Sequence, residues 1–234
     1  MSSAVAWDRA WFENGVLPKT MVAWRGVEAQ HVVSTMRLVD SRDEQEELER
    51  LLEHSKPPKP KMLAPTHYLI FTPFRYRPPY PSRFRRGGDP GLWYGAEELY
   101  AACAEVAYWR NRFVLDSASL VKTELLTEHT FFQAVVTGTA VDLMGPPWVQ
   151  AREVWTHGSD YTETQALAES ARDRGVQWVC YESVRAPGKR CAAVLDVAAL
   201  EIVDGGKTLQ TWHCKASKDA VMMVSDTQTW VWNF

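Results

Sequence analysis

The 234-residue chain lacks most of the short motifs that announce a reaction. It has no GxxxxGK(S/T) loop, no GxGxxG after a strand, no HExxH and no GxSxG elbow. Each of these is required by its own mechanism, so P-loop hydrolysis, Rossmann dinucleotide binding, zincin proteolysis and the α/β-hydrolase nucleophile are set aside. Cysteine is scarce: four residues, at 103, 180, 191 and 214, with no CxxC pair and no clustering with the six histidines. No metal site is expected, and the cysteines, each inside an apolar run, read as buried reduced thiols of a cytosolic protein. There is no apolar run of 18 residues and therefore no expected membrane span. The N-terminal stretch carries Asp8, Arg9 and Glu13 where a secretion signal needs apolar residues, so a cytoplasmic location is expected. Basic excess is missing too: 26 Lys+Arg against 29 Asp+Glu give a net charge of −3, which argues against a dedicated polyanion binder.

What remains is an ordinary globular composition, 46% hydrophobic and 24% charged, in a chain long enough to bury a core without disulfides or metals. Tryptophan is plentiful at 11, enough for core packing with some left to line a pocket for a flat ligand. The segment 40–54 reads as a solvated acidic helix with Ser41 and Glu44 as capping box, Leu48, Leu51 and Leu52 as a narrow stripe, and Glu46 and Arg50 as an i, i+4 pair. Lys56–Lys61 (KPPKPK) cannot be helical and reads as an extended connector. Residues 1–60 are thus expected to be an N-terminal elaboration packed on a main domain of 61–234. Within that domain, helical spacing covers 96–113 and 160–174. Strand composition marks 66–72, 92–94, 131–143, 176–182, 191–197, 209–215 and 229–232. Strands outnumber helices and do not alternate with them, which predicts an α+β fold.

Three places could carry chemistry. The stretch 75–86 (RYRPPYPSRFRR) holds five arginines, no acid and interleaved aromatics. Arginine forks bind phosphates bidentately and rings stack on bases, so a nucleic-acid strand or a dinucleotide pyrophosphate would fit. Equally, these arginines could pair with the acidic helix of 40–54. Glu105 falls beside Ala102 and Trp109 at the border of the helical apolar stripe, where a carboxylate can reach a cleft, although a single Glu is more often simply a surface residue. Ser183 falls near the end of the strand-like run 176–182, where a hydroxyl can point into a cleft, or it initiates a turn ahead of Ala186-Pro187-Gly188.

In combination, these residues resemble the RES-domain family, named for its Arg, Glu and Ser. SRFRRGGDPGLWYGAEELYAACAEVAYWR is similar to the family core, with Arg83-Phe84, Tyr94 and Glu105 in matching order, and YESVRAPGKRCAAVLD resembles the segment that supplies the serine, Ser183. The similarity extends to VAWRGVEAQHVVSTMRLVD and THYLIFTPFRYRP. The chain departs from the pattern by its longer N-terminal region and by extra arginines, so Arg75 or Arg85 could take the role of Arg83.

The resemblance implies an ADP-ribosyltransferase-like core of mostly antiparallel strands with flanking helices. It implies a toxin of a toxin–antitoxin pair, with NAD+ as substrate, no metal, and a helix-turn-helix antitoxin as partner. The reaction would cleave the nicotinamide–ribose bond by hydrolysis or phosphorolysis, with ADP-ribosyl transfer to a protein as the alternative. Glu105 would stabilise the cationic ribosyl centre, Arg83 would clamp the pyrophosphate, Tyr94 would pack on the nicotinamide or position the ribose, and Ser183 would orient Glu105 or the ribose. Arg75 and Arg85 are the reserve pyrophosphate ligands. Transferases of similar fold often carry a Glu or Gln two residues before the catalytic acid; here Cys103 stands there. Two rivals use no catalysis: a nucleic-acid-binding module built on 75–86, and an inactive partner-binding scaffold.

Overall fold

The computed structural model describes residues 7–29, 35, 38–61 and 66–234. Two long strands organise it: β1 (Val16–Glu28) and an antiparallel partner, Leu125–Asp142. They pair residue for residue from Val16 opposite Val141 to Glu28 opposite His129. A short strand, β2 (Trp93–Ala96), meets β1 where Trp24 faces Ala96. With Leu125–Asp142 as β3, β4 (Trp178–Glu182) runs parallel to its last residues, and β5 (Arg190–Val194) lies antiparallel between β4 and β2. The pairings β1–β2–β5–β4–β3 therefore return to β1 and close a circuit. Beyond it, β6 (Leu200–Ile202) joins the middle of β3, while β7 (Gln210–Ala216), β8 (Ala220–Val224) and β9 (Thr229–Asn233) extend the sheet from the first half of β3. Every pairing but β3–β4 is antiparallel, the α+β arrangement expected.

Side chains alternate across a strand, so the circuit has two apolar faces. Trp93, Phe132, Ala134, Trp178 and Ala192 belong to one, covered by Leu69 and Ile70 of a short helix. Phe131, Val141, Val179, Tyr181 and Ala193 belong to the other, covered by α helices over Leu99–Leu115 and Thr162–Asp173. In chain order the helices are α1 (Trp11–Asn14), α2 (Arg42–Ser55), α3 (Tyr68–Arg75), α4 (Leu99–Leu115), α5 (Arg152–Trp155) and α6 (Thr162–Asp173). The four cysteines are free and buried.

Several expectations needed correction. THYLIFT was expected as a strand, but residues 68–75 are the helix α3, with His67 Nδ1 accepting from Leu69 N–H. A short apolar run has no period that separates the two states; here packing of Leu69, Ile70 and Phe71 on the sheet decides. Helix α2 starts at Ser41 as predicted, with Glu44 N–H donating to Ser41 Oγ. Within it the ion pairs are Arg42–Glu46 and Arg50–Glu47, in place of the expected Glu46–Arg50, and it buries no residue. The segment 1–60 contributes β1, which is hydrogen-bonded to β3 along its whole length, so a division at residue 60 cuts through the sheet.

Candidate active site

A cavity of ≈ 450 Å³ opens between α4, β1 and β2. Its charged groups come from β1, from α4, from the turn around Arg83 and from the turn after β4. Glu105 lies one and a half turns into α4, on the edge the sequence indicated, with Ala102, Val106 and Trp109 around it on the cavity wall. Ser183 Oγ, just past the end of β4, donates to Glu105 Oε1 at 2.6 Å. The same oxygen accepts from the main-chain N–H of Arg185 and Ala186, so Ser183 opens the turn and also meets the carboxylate. Gly188, at φ +83°, lets that turn close so that Ser183 N–H reaches Lys189 O. Burial pushes the Glu105 carboxyl above the usual carboxylate range. The Ser183 bond opposes this, as do the positive charges of Arg185 and Arg83.

Arg83 sits in a tight turn in which Ser82 and Arg85 exchange main-chain hydrogen bonds. Helix α6 grips that turn: Gln165 Nε2 donates to the carbonyls of Ser82 and Arg85, and Thr164 Oγ1 to that of Arg83. The guanidinium of Arg83 donates to Trp155 O and His157 O, both at 2.9 Å, and lies 4.8 Å over the Tyr161 ring. Arg185 donates to Gly158 O at 2.9 Å and stacks 3.4 Å over the Tyr108 ring. The segment 148–158 thus fixes both arginines through its carbonyls. It is itself anchored by tryptophan: Trp148 Nε1 donates to Gly15 O and Trp155 Nε1 to Trp148 O, inside a cluster with Trp7 and Phe12. A two-pronged Arg152–Glu182 pair, both bonds 2.7 Å, ties the same segment to the residue before Ser183.

Tyr94, on β2, shares a hydrogen bond with Ser82 Oγ at 2.9 Å and accepts from Phe84 N–H at 3.2 Å, which locks the arginine turn to the sheet. Its ring lines the cavity, and burial raises its pKa against those two bonds. Cys103 faces the core, away from the cavity lining, and is fully buried.

The structure therefore brings Arg83, Tyr94, Glu105 and Ser183 together. It does not bring Arg75 or Arg85 to them. Arg75 pairs with Glu53 of α2 and bonds Pro57 O, and Arg85 is buried with its guanidinium on the carbonyls of Pro78, Tyr80 and Arg86. Both guanidiniums serve the loop, and neither lines the cavity. The pairing of this stretch with the acidic helix is thus real at Arg75.

Sequence reasoning missed Arg25, Arg185, Tyr161 and Tyr181, all of which line the cavity. Arg25 of β1 is half-buried, donates to Tyr94 O at 2.9 Å and lies 5.6 Å from the Trp93 ring centre; desolvation lowers its pKa to about 10. A lone arginine in a strand has no local signature, and only the facing of Trp24 and Ala96 carries it to the site. Arg185 stands two residues after Ser183, a proximity that could have singled it out. No group of three or more His, Cys, Asp or Glu that could hold a metal ion occurs among the described residues.

No curated protein matches the chain in sequence. The fold is similar to that of a chain in the crystal structure of the M. tuberculosis MbcT–MbcA toxin–antitoxin complex. The TM-score is 0.51 and the identity 13%, over 85% of this chain and 87% of that one. The likeness is one of fold. The RES domain family model matches residues 59–216, a span that includes Arg83, Tyr94, Glu105 and Ser183, and the chain belongs to the RES domain family.

Proposed function

We propose that this protein cleaves the nicotinamide–ribose bond of NAD+ and acts as the toxin of a toxin–antitoxin pair. The observation that carries the reading is the Ser183–Glu105 hydrogen bond, facing two fixed arginines across a cavity lined by tyrosines. Breaking the bond builds positive charge on the ribose, as in glycoside hydrolysis, while the pyridinium leaves as neutral nicotinamide and needs no proton. One carboxylate therefore suffices. Glu105 stabilises the ribosyl cation, and Ser183 keeps it ionised and aimed. Arg83 and Arg185 are pinned by carbonyls on one side and offer their remaining N–H groups to the pyrophosphate. Tyr94 walls the nicotinamide riboside.

Water or phosphate completes the exchange at the anomeric carbon. Transfer to a protein gains nothing from residue 103, a fully buried cysteine at the position where transferases of similar fold often carry a polar group. Nucleic-acid binding through 75–86 is weakened by the internal duties of Arg75 and Arg85 and by the pairing of Arg86 with Glu169. In this reading the protein acts in the cytoplasm. No helix among the described residues is long and apolar enough to cross a membrane. The partner in this reading is an antitoxin, of helix-turn-helix type, that closes the cavity mouth.

The test is incubation of purified protein with NAD+, with and without phosphate, and identification of the products. Free nicotinamide with ADP-ribose marks hydrolysis, and nicotinamide with a phosphorylated ADP-ribose marks phosphorolysis. Label retained on protein marks transfer, and intact NAD+ refutes the reading.

A further inference from the structure

Glu105, Trp109 and Phe113 stand four residues apart on α4 and so share one face of it. From the first to the third the helix rises about 12 Å, a length that two riboses and a pyrophosphate can span. All three line the cavity, so it is a groove with two unlike ends. The Glu105 end holds Arg83 and Arg185, fixed by main-chain carbonyls. At the far end the cation, Arg110, is paired with Glu28, so the charges there are balanced and an anion has little to gain.

That far end instead offers rings. Trp109 and Phe113 are 49% and 53% exposed although they line a cavity. Opposite Glu28 in the β1–β3 register is His129, 1% exposed. Its Nε2 bonds Thr127 Oγ1 at 3.0 Å, while its buried Nδ1 has no partner among the described residues. Burial lowers the imidazole's pKa to about 4, so the ring is neutral near pH 7.

We propose that this end of the groove is the adenine subsite, with Trp109 and Phe113 as stacking platforms. The ligand class follows from the lining: flat, aromatic and uncharged. The inference rests on the NAD+ reading for the occupant of the other end, and it orients the dinucleotide along α4 with its adenosine half over residues 109–113.

Titration calorimetry of the full chain with AMP and with nicotinamide mononucleotide separates the two ends. Trp109→Ala and Phe113→Ala are expected to weaken AMP binding by about five-fold or more, the scale of one lost base–aromatic stack. Nicotinamide mononucleotide, which lacks the base, should bind unchanged, and Trp109→Phe should retain most AMP affinity. Both rings are half exposed, so the variants should fold; circular dichroism checks this. AMP affinity unmoved in both alanine variants, no AMP binding by the wild type, or equal losses for both ligands would overturn the subsite. NAD+ turnover by the wild type is measured separately. A protein that binds AMP here yet spares NAD+ loses the cleavage reading alone, whereas one that consumes NAD+ with AMP binding indifferent to Trp109 and Phe113 loses the subsite alone.

Discussion

Replacing Ser183 by alanine removes one oxygen with two duties, and the structure predicts what each loss does. Ser183 is 1% exposed and its Oγ is 2.6 Å from Glu105 Oε1, a short bond to a group that works as an anion. Such a charge-assisted bond contributes about 1.5–3 kcal/mol. Because it favours the ionised carboxyl only, its loss leaves burial less opposed and pushes Glu105 further up. At about 1.4 kcal/mol per pH unit, the acidic limb of activity should move to higher pH by about one unit or more. The other duty, accepting from Arg185 and Ala186 N–H, adds a stability loss with no pH signature. The assay is kcat/KM for NAD+ cleavage from pH 4.5 to 9, a quantity that reports the free enzyme. Ser183→Ala should lose most activity at low pH and regain much of it at high pH. A uniform drop at every pH, with the limb unmoved, would refute the coupling to the carboxylate and leave Ser183 as a turn residue.

Glu105→Gln should lower NAD+ turnover by about 10²–10³-fold, the scale of one electrostatic stabiliser, while still accepting from Ser183. Since the folded protein disfavours ionised Glu105, the carboxyl costs stability once pH rises through its unfolded value, so the Gln variant should melt at a higher temperature near neutral pH; an unchanged or lower Tm counts against the desolvation account. Arg83→Ala should raise KM for NAD+ more than it lowers kcat, and steady-state kinetics with an unchanged KM would shift the pyrophosphate role to Arg185 or Arg25. His129, lowered by burial from 6.5 to about 4, takes up a proton more readily unfolded than folded, so acid between those values costs the protein about 3 kcal/mol. Denaturant melts of His129→Leu should show a correspondingly flatter loss of stability between pH 7 and 4, and parallel curves for the two proteins would contradict it.

How far the sequence reached differs by residue. Glu105 was legible because a helix advertises its faces locally: apolar residues at 99, 102, 103 and 106 define a stripe, and a carboxylate at its edge stands out. The helices 42–55 and 162–173 and the strands 178–182 and 190–194 were legible for the same reason, each carrying its own period and stops. Strand β1 was not proposed, because its alternation is interrupted by Pro18 and Gly26 and its stability comes from thirteen partners more than a hundred residues away. Strands β6 and β8 were also not proposed, and the helix α3 was mistaken for a strand.

Local pattern alone thus determined the class of fold and the helix that bears the acid, and the resemblance to the RES-domain family singled out Arg83, Tyr94, Glu105 and Ser183. The fates of five neighbouring arginines were decided only by tertiary structure. Arg83 turns to the cavity because α6 grips its loop, Arg75 turns to Glu53, and Arg85 folds inward onto three carbonyls. A guanidinium goes where its donors are satisfied, and the carbonyls that satisfy it are supplied by segments distant in the chain. Arg25 and His129 reach the cavity by another route, strand register, which no window of sequence contains.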